Sequence, residues 1–226
     1  IKVFHLEHLH TIKRFFERKP YLKLGSRLTT HSSLSRRTAL HKSIMTAKLL
    51  QKFDLQYTFC NEATSEYQIN DLQSALELFY PAVKLSDVEI ATIKYLHDNP
   101  VVVPGEQWAV DNDIYRDSRL IWTFESIFLS RENSPVAYLT EKTIKPILAR
   151  RLFITLGGQH QLANLRKLGF YTFGDVIDES YDSVEANLDR FKLALDQVEL
   201  LKLTYTIPVE VSKLTDAPVK VLPPAV

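Results

Sequence analysis

At 226 residues the chain can bury the core of one large domain or two small ones, and its 45% hydrophobic and 24% charged residues are those of an ordinary globular protein, not a disordered one. A formal net charge of +1 speaks against a broad nucleic-acid-binding surface and leaves only local patches. The single cysteine, Cys60, excludes an internal disulfide and a multi-cysteine zinc site, and no stretch has the length of a membrane span or the layout of a signal peptide.

Taken in order, residues 4–18 carry Phe4, Leu6, Leu9, Ile12, Phe15 and Phe16 at helical spacing, which predicts an amphipathic helix stopped by Pro20. A strand is expected over 21–25, then a polar loop over 25–35 that holds Arg27 and His31. A helix over 34–52 with Leu40, Ile44, Ala47 and Leu50 on one face leads to a strand over 55–59. Strand, helix and strand make a β-α-β unit, for which a parallel sheet is the economical arrangement. After a polar connector over 61–70, helices are predicted at 71–79 and 86–97, the second capped by Ser86. The proline-bearing stretch 98–112 suggests a boundary near residue 104.

Beyond it, Arg119–Phe124 reads as a buried strand ending at Glu125-Ser126. Thr140 is placed to cap a helix whose first turn holds Glu141 and Lys142, with Lys145 a turn later and Pro146 read as a bend. Leu152–Leu156 is an interior strand closed by Gly157-Gly158. A helix over 159–167, a short strand over 170–173 and a helix over 182–202 follow, with Asp182 or Ser180 as the cap of the last. Residues 206–226 read as an extended, proline-rich tail.

In open parallel sheets ligands gather where strands end and helices begin. Glu125, the Glu141-Lys142 pair and Gly157-Gly158 all fall on that edge. A helix start with two lysines suits a phosphate group, and an adjacent carboxylate suits sugar hydroxyls. The plainer readings stand beside these. Glu141 is equally a helix-dipole partner, worth about 0.3–1 kcal/mol, and Glu125 a strand end. Lys142 and Lys145 make a solvated basic face, and two glycines make an ordinary turn. Arg150-Arg151 either adds to anion binding or lines a helix end. Asp111-Asn112-Asp113 is read as a loop, and His5, His8 and His10 lack metal-ligand spacing, so no metal is expected.

The elements Thr140-Glu141-Lys142-Thr143, Lys145-Pro146-Ile147, Phe153-Ile154, Leu168-Gly169-Phe170, Thr172-Phe173 and Asp178-Glu179-Ser180-Tyr181-Asp182 resemble the C-terminal half of glycosyltransferase-like proteins of bacteriophages and bacteria. The Thr-Glu-Lys element is similar to the nucleotide-sugar site of GT-B-fold fucosyltransferases. The resemblance covers roughly residues 115–202. It implies an α/β, GT-B-like fold of two Rossmann-like lobes with parallel sheets: a partial acceptor-side lobe over 1–104, a donor-binding lobe over 105–205, and the tail.

The resemblance further implies a transferase that moves a sugar from a nucleoside-diphosphate sugar to a glycan, protein or modified-DNA acceptor without a metal or other cofactor. Glu125, Glu141, Lys142, Lys145, Gly157, Gly158 and Arg27 would contact the donor, Glu141 at the ribose and Lys142 at the diphosphate. His31 is a weak catalytic candidate, because this chain has His31-Ser32 where relatives have His-Arg. The chain also has Arg150-Arg151-Leu152 where relatives place a glycine. It starts at Ile1 and its one methionine is Met45, so a truncated first lobe is expected. The alternative is a non-catalytic GT-B-like interaction domain in a larger assembly such as a phage particle. A cytoplasmic location is expected for the enzyme and the virion for the alternative.

Overall fold

The computed structural model describes residues 5–6, 30–35, 39–53, 55–59, 72–101, 115, 117–125 and 138–204. In chain order the backbone forms β1 (His5–Leu6), β2 (Thr30–Ser35), α1 (Leu40–Leu50), β3 (Leu55–Phe59), α2 (Leu72–Phe79) and α3 (Asp87–Asp98). Then come β4 (Ser118–Phe124), β5 (Tyr138–Leu139), α4 (Glu141–Leu148), β6 (Leu152–Leu156), α5 (Gln161–Lys167), a 3-10 turn at Ser180–Ser183 and α6 (Asn187–Thr204).

Four strands lie side by side in the order β3-β2-β4-β6, all parallel, and β1 pairs with β5 in a separate parallel ribbon. The composition of β4 and β6 explains their central role. Leu120, Ile121, Trp122 and Phe124 on β4 and Phe153, Ile154 and Leu156 on β6 are buried on both faces of the sheet. A parallel sheet covered on both sides calls for such continuous apolar runs. α4 lies on β4 and β6, while α1 packs against α3 and α6. Nine of the eleven residues of α1 are buried, the polar His41, Lys42, Ser43 and Thr46 among them.

The predicted elements at 55–59, 71–79, 86–97, 119–124, 152–156 and 159–167 form within a residue or two of their expected limits, and the helix expected after Thr140 starts at Glu141. Ser86 caps α3 in a reciprocal box: its hydroxyl accepts from the Glu89 amide at 3.3 Å, and Glu89 accepts from the Ser86 amide at 2.7 Å. α4 runs through Pro146 to Leu148, so the proline does not stop the helix.

Several expectations are corrected. Thr30–Ser35, read as loop, is the strand between β3 and β4, and its two neighbours satisfy its backbone on both sides. The helix expected over 34–52 therefore starts only at Leu40. Residues 5–6 are paired with β5 and not helical. Phe170–Phe173 forms no strand; the Phe173 amide and the Thr172 hydroxyl each donate to the Glu179 carboxylate at 2.8 Å. The last helix begins at Asn187 after the 3-10 turn.

The boundary expected near 104 lies outside the described residues. Strands from both sides of it share one sheet, with β2 beside β4. The strand expected at 21–25, most of the helix at 4–18 and the tail at 206–226 lie outside the described residues.

Candidate functional site

Strand order runs outward from β2 in both directions, to β3 through α1 and to β4 through the later chain. The carboxyl ends of β2 and β4 are therefore the place where the winding reverses, the usual ligand position in such sheets. α1 opens beside it after β2. α4 opens beside the end of β4.

Glu125 stands at the centre of this edge. Its amide continues the β4–β6 ladder to the Leu156 carbonyl at 2.9 Å. Its side chain is fully buried and accepts three hydrogen bonds: from the Thr140 amide at 3.2 Å, the Thr140 hydroxyl at 2.5 Å and the Thr143 hydroxyl at 2.6 Å. Burial raises its pKa above the ordinary glutamate value, and Lys142 with the threonine donors offsets this only in part. The Thr143 hydroxyl also lies 3.2 Å from that of Thr155, which accepts from the Thr123 hydroxyl at 2.5 Å. A run of four threonines and one carboxylate thus joins β4, α4 and β6 beneath the surface.

The Glu125 carbonyl faces the other helix. His41 Nε2 is 3.1 Å from it, and since a carbonyl only accepts, Nε2 carries the proton. Desolvation, followed by the neighbouring Lys42 charge, lowers the His41 pKa to about 3, so the ring is neutral. One residue therefore fixes the starts of both α1 and α4.

At the α4 start, Thr140 is the N-cap and its hydroxyl oxygen accepts from the Lys142 amide at 3.3 Å. Lys142 Nζ meets Glu141 Oε1 at 2.8 Å, and both side chains are mostly covered, at 14% and 12% exposure. The pair is a charge-assisted contact on a positively polarised helix end. Lys145 follows in the last turn, half-buried.

The other expected contacts behave differently. A side chain at Gly157 would come within 3.0 Å of Gln161, so that glycine accommodates the protein's own side chain; Gly158 faces open space. The helix start after them has no local side-chain cap, and His160 adopts a left-handed φ of 62°. Instead the Asp182 carboxylate accepts from the Leu162 and Ala163 amides at 2.8 and 2.9 Å. Asp182 or Ser180 is the expected cap of α6; Asp182 instead caps α5. Burial, opposed by those two amides, holds its pKa above the usual aspartate value.

Arg151 turns inward, its Nε donating to the Tyr115 carbonyl, and Arg150 takes a φ of 53°. His31 lies on β2, in register with Leu55 and Leu120, and not in a loop. Arg27, Cys60 and Asp111-Asn112-Asp113 lie outside the described residues.

The structure therefore brings Glu125, Glu141 and Lys142 to one corner, with Glu125 enclosed as a positioning group. Sequence reading missed His41, Thr123, Thr143 and Thr155. Thr143 was legible in principle, since its place three residues after the cap Thr140 puts both hydroxyls over the same turn. Among the described residues no group of three His, Cys, Asp or Glu is placed to hold a metal ion, and no helix is long and apolar enough to cross a membrane. When the sequence is compared with known proteins, no family matches it, and no curated protein does either.

Proposed function

We propose that this chain is the donor-binding portion of a glycosyltransferase that uses a nucleoside-diphosphate sugar, with a GT-B-like ancestry. The observation that carries the reading is the Glu141–Lys142 pair on the start of α4, at the carboxyl edge of a parallel sheet and beside its winding reversal. In this reading a diphosphate displaces Glu141 as the partner of Lys142 and draws on the α4 dipole. Glu141 is then released to accept hydrogen bonds from ribose or sugar hydroxyls. The same cation and helix end stabilise the leaving diphosphate as the glycosidic bond breaks. Glu125 contributes by holding Thr140 in place. Gly158 supplies open backbone at the neighbouring loop.

Calorimetric titration of the folded chain with a panel of UDP- and GDP-sugars tests this. Saturable binding is expected, weakened about tenfold or more by Lys142→Ala, the loss of one charge-assisted contact. A folded sample that binds none of the panel ends the proposal.

A second reading, a non-catalytic interaction domain of a larger assembly, is favoured by three internal satisfactions. Asp182 fills the α5 start, Gln161 fills the space at Gly157, and Arg151 is directed to Tyr115. It predicts no sugar-nucleotide binding and a stable complex with other chains of its source.

A further inference from the structure

On another part of the molecule, away from the α4 start, a cleft of about 170 Å³ is framed by three separate segments. The end of α1 contributes Lys48 and Lys52. The stretch between α2 and α3 contributes Lys84, and one face of α6 contributes Lys192 and Asp196, four residues apart. Four lysines face one aspartate, in a chain whose overall balance is only +1. A concave wall of one sign concentrates potential more than the same charges on a flat face.

Each wall is held in place. Tyr80 packs against Phe191 with the rings tilted by 49° and their centroids 5.1 Å apart, which fastens the α2–α3 stretch to α6. The Val83 amide donates to the Tyr80 carbonyl at 2.9 Å, and Lys48 reaches Glu89 of α3 at 2.8 Å. Lys84 and Lys192, by contrast, have no ion pair or hydrogen bond among the described residues. Two ammonium groups without partners, on braced segments, leave donor capacity directed at whatever enters. Val83 and Leu195 supply apolar wall between them.

We propose that this cleft is a second binding site, for a small, multiply charged anion of the phosphate class, independent of the α4 start. Lysine is a point-charge binder that suits the compact charge of a phosphoryl group. The confined volume and the modest total charge favour a small molecule over a nucleic-acid strand, which needs an extended basic track.

Inorganic pyrophosphate is the probe, titrated calorimetrically into the full chain carrying Lys142→Ala so that binding at the α4 start is weakened. Saturable binding is expected, weakened about tenfold by Lys84→Ala and again by Lys192→Ala, and tightened by Asp196→Asn. Raising the ionic strength should weaken it, as for partly exposed charges. Lys84, Lys192 and Asp196 are exposed, so folding should be retained on replacing them, and circular dichroism checks this for every variant, the mostly covered Lys142→Ala included. Amide shifts of the wild-type chain on adding pyrophosphate provide a reading free of variants: changes at 82–84 and 192–196 support the site. Absence of saturation, or binding unchanged in the Lys84→Ala/Lys192→Ala variant, overturns it.

Discussion

Two helices start at the same edge of the sheet, and each meets a buried carboxylate, but by opposite routes. α4 is capped by its own neighbour Thr140, and Glu125 at the end of β4 braces that cap by accepting a hydrogen bond from its hydroxyl. α5 has no local cap and receives both oxygens of Asp182, about twenty residues downstream. The difference decides what each helix start can still do. At α5 the protein has placed its own anion where a phosphate would otherwise sit. At α4 the carboxylate works one layer down, on hydroxyls, and the outer layer keeps a lysine. Only the second arrangement leaves a cation beside a helix dipole for a ligand to use.

The largest effect should come from removing the brace itself. Glu125→Ala strands three buried donors, the Thr140 amide and the hydroxyls of Thr140 and Thr143, none of which water can reach easily. At about 1–3 kcal/mol for each unsatisfied group, and with partial relaxation, a loss of about 4 kcal/mol in urea unfolding is expected. Glu125→Gln retains an acceptor and should lose about half of that. A Glu125→Ala chain of wild-type stability would show that the carboxylate does not hold α4.

This asymmetry also explains which features could be read from the residues. Thr140 before Glu141-Lys142, Ser86 before Asp87-Val88-Glu89, and the apolar runs of β4 and β6 are local patterns, and each forms as expected. Thr30–Ser35 has one apolar residue in six and no alternation, so its strand identity comes from being paired on both sides, information carried by β3 and β4. The capping of α5 by Asp182 depends on the 3-10 turn bringing residue 182 back over residues 160–163, where the His160 amide donates to the Asp182 carbonyl at 2.8 Å. Spacing along the chain cannot reveal such a contact. A proline-bearing stretch likewise does not reveal whether the strands on either side of it share a sheet, as β2 and β4 do.

The second test breaks the other half of the comparison. Asp182→Ala removes both amide acceptors from α5, and two lost caps of ordinary strength amount to about 2 kcal/mol. The effect should be local as well as global, with faster hydrogen exchange at Leu162 and Ala163 while the α4 amides stay protected. Asp182→Asn keeps one good acceptor and should fall between. If the α5 start were instead a ligand site, Asp182→Ala would gain affinity for pyrophosphate there. Unchanged exchange at Leu162 and Ala163 would mean that the long-range cap does not matter.

The smallest expected effect concerns the contact that ties α1 to this edge. His41 in the folded chain sits at about 3, well below the ordinary 6.5, because burial and then Lys42 oppose its protonation more than the Glu125 carbonyl favours it. Between those values the unfolded chain holds a proton that the folded chain lacks. Stability is therefore complete above 6.5 and declines as the pH falls toward 3. By about pH 6 the loss amounts to about 1 kcal/mol, whatever the folded value is, provided it is far below. His41→Gln retains an N–H for the Glu125 carbonyl but does not titrate. Because other histidines titrate in both chains, the difference between wild type and His41→Gln isolates this one. That difference should be level at alkaline pH and turn against the wild type on acidification. A difference that stays level down to about pH 5 would mean that His41 gains a proton in the folded chain as readily as in the unfolded one, and the link between α1 and Glu125 would have to be redrawn.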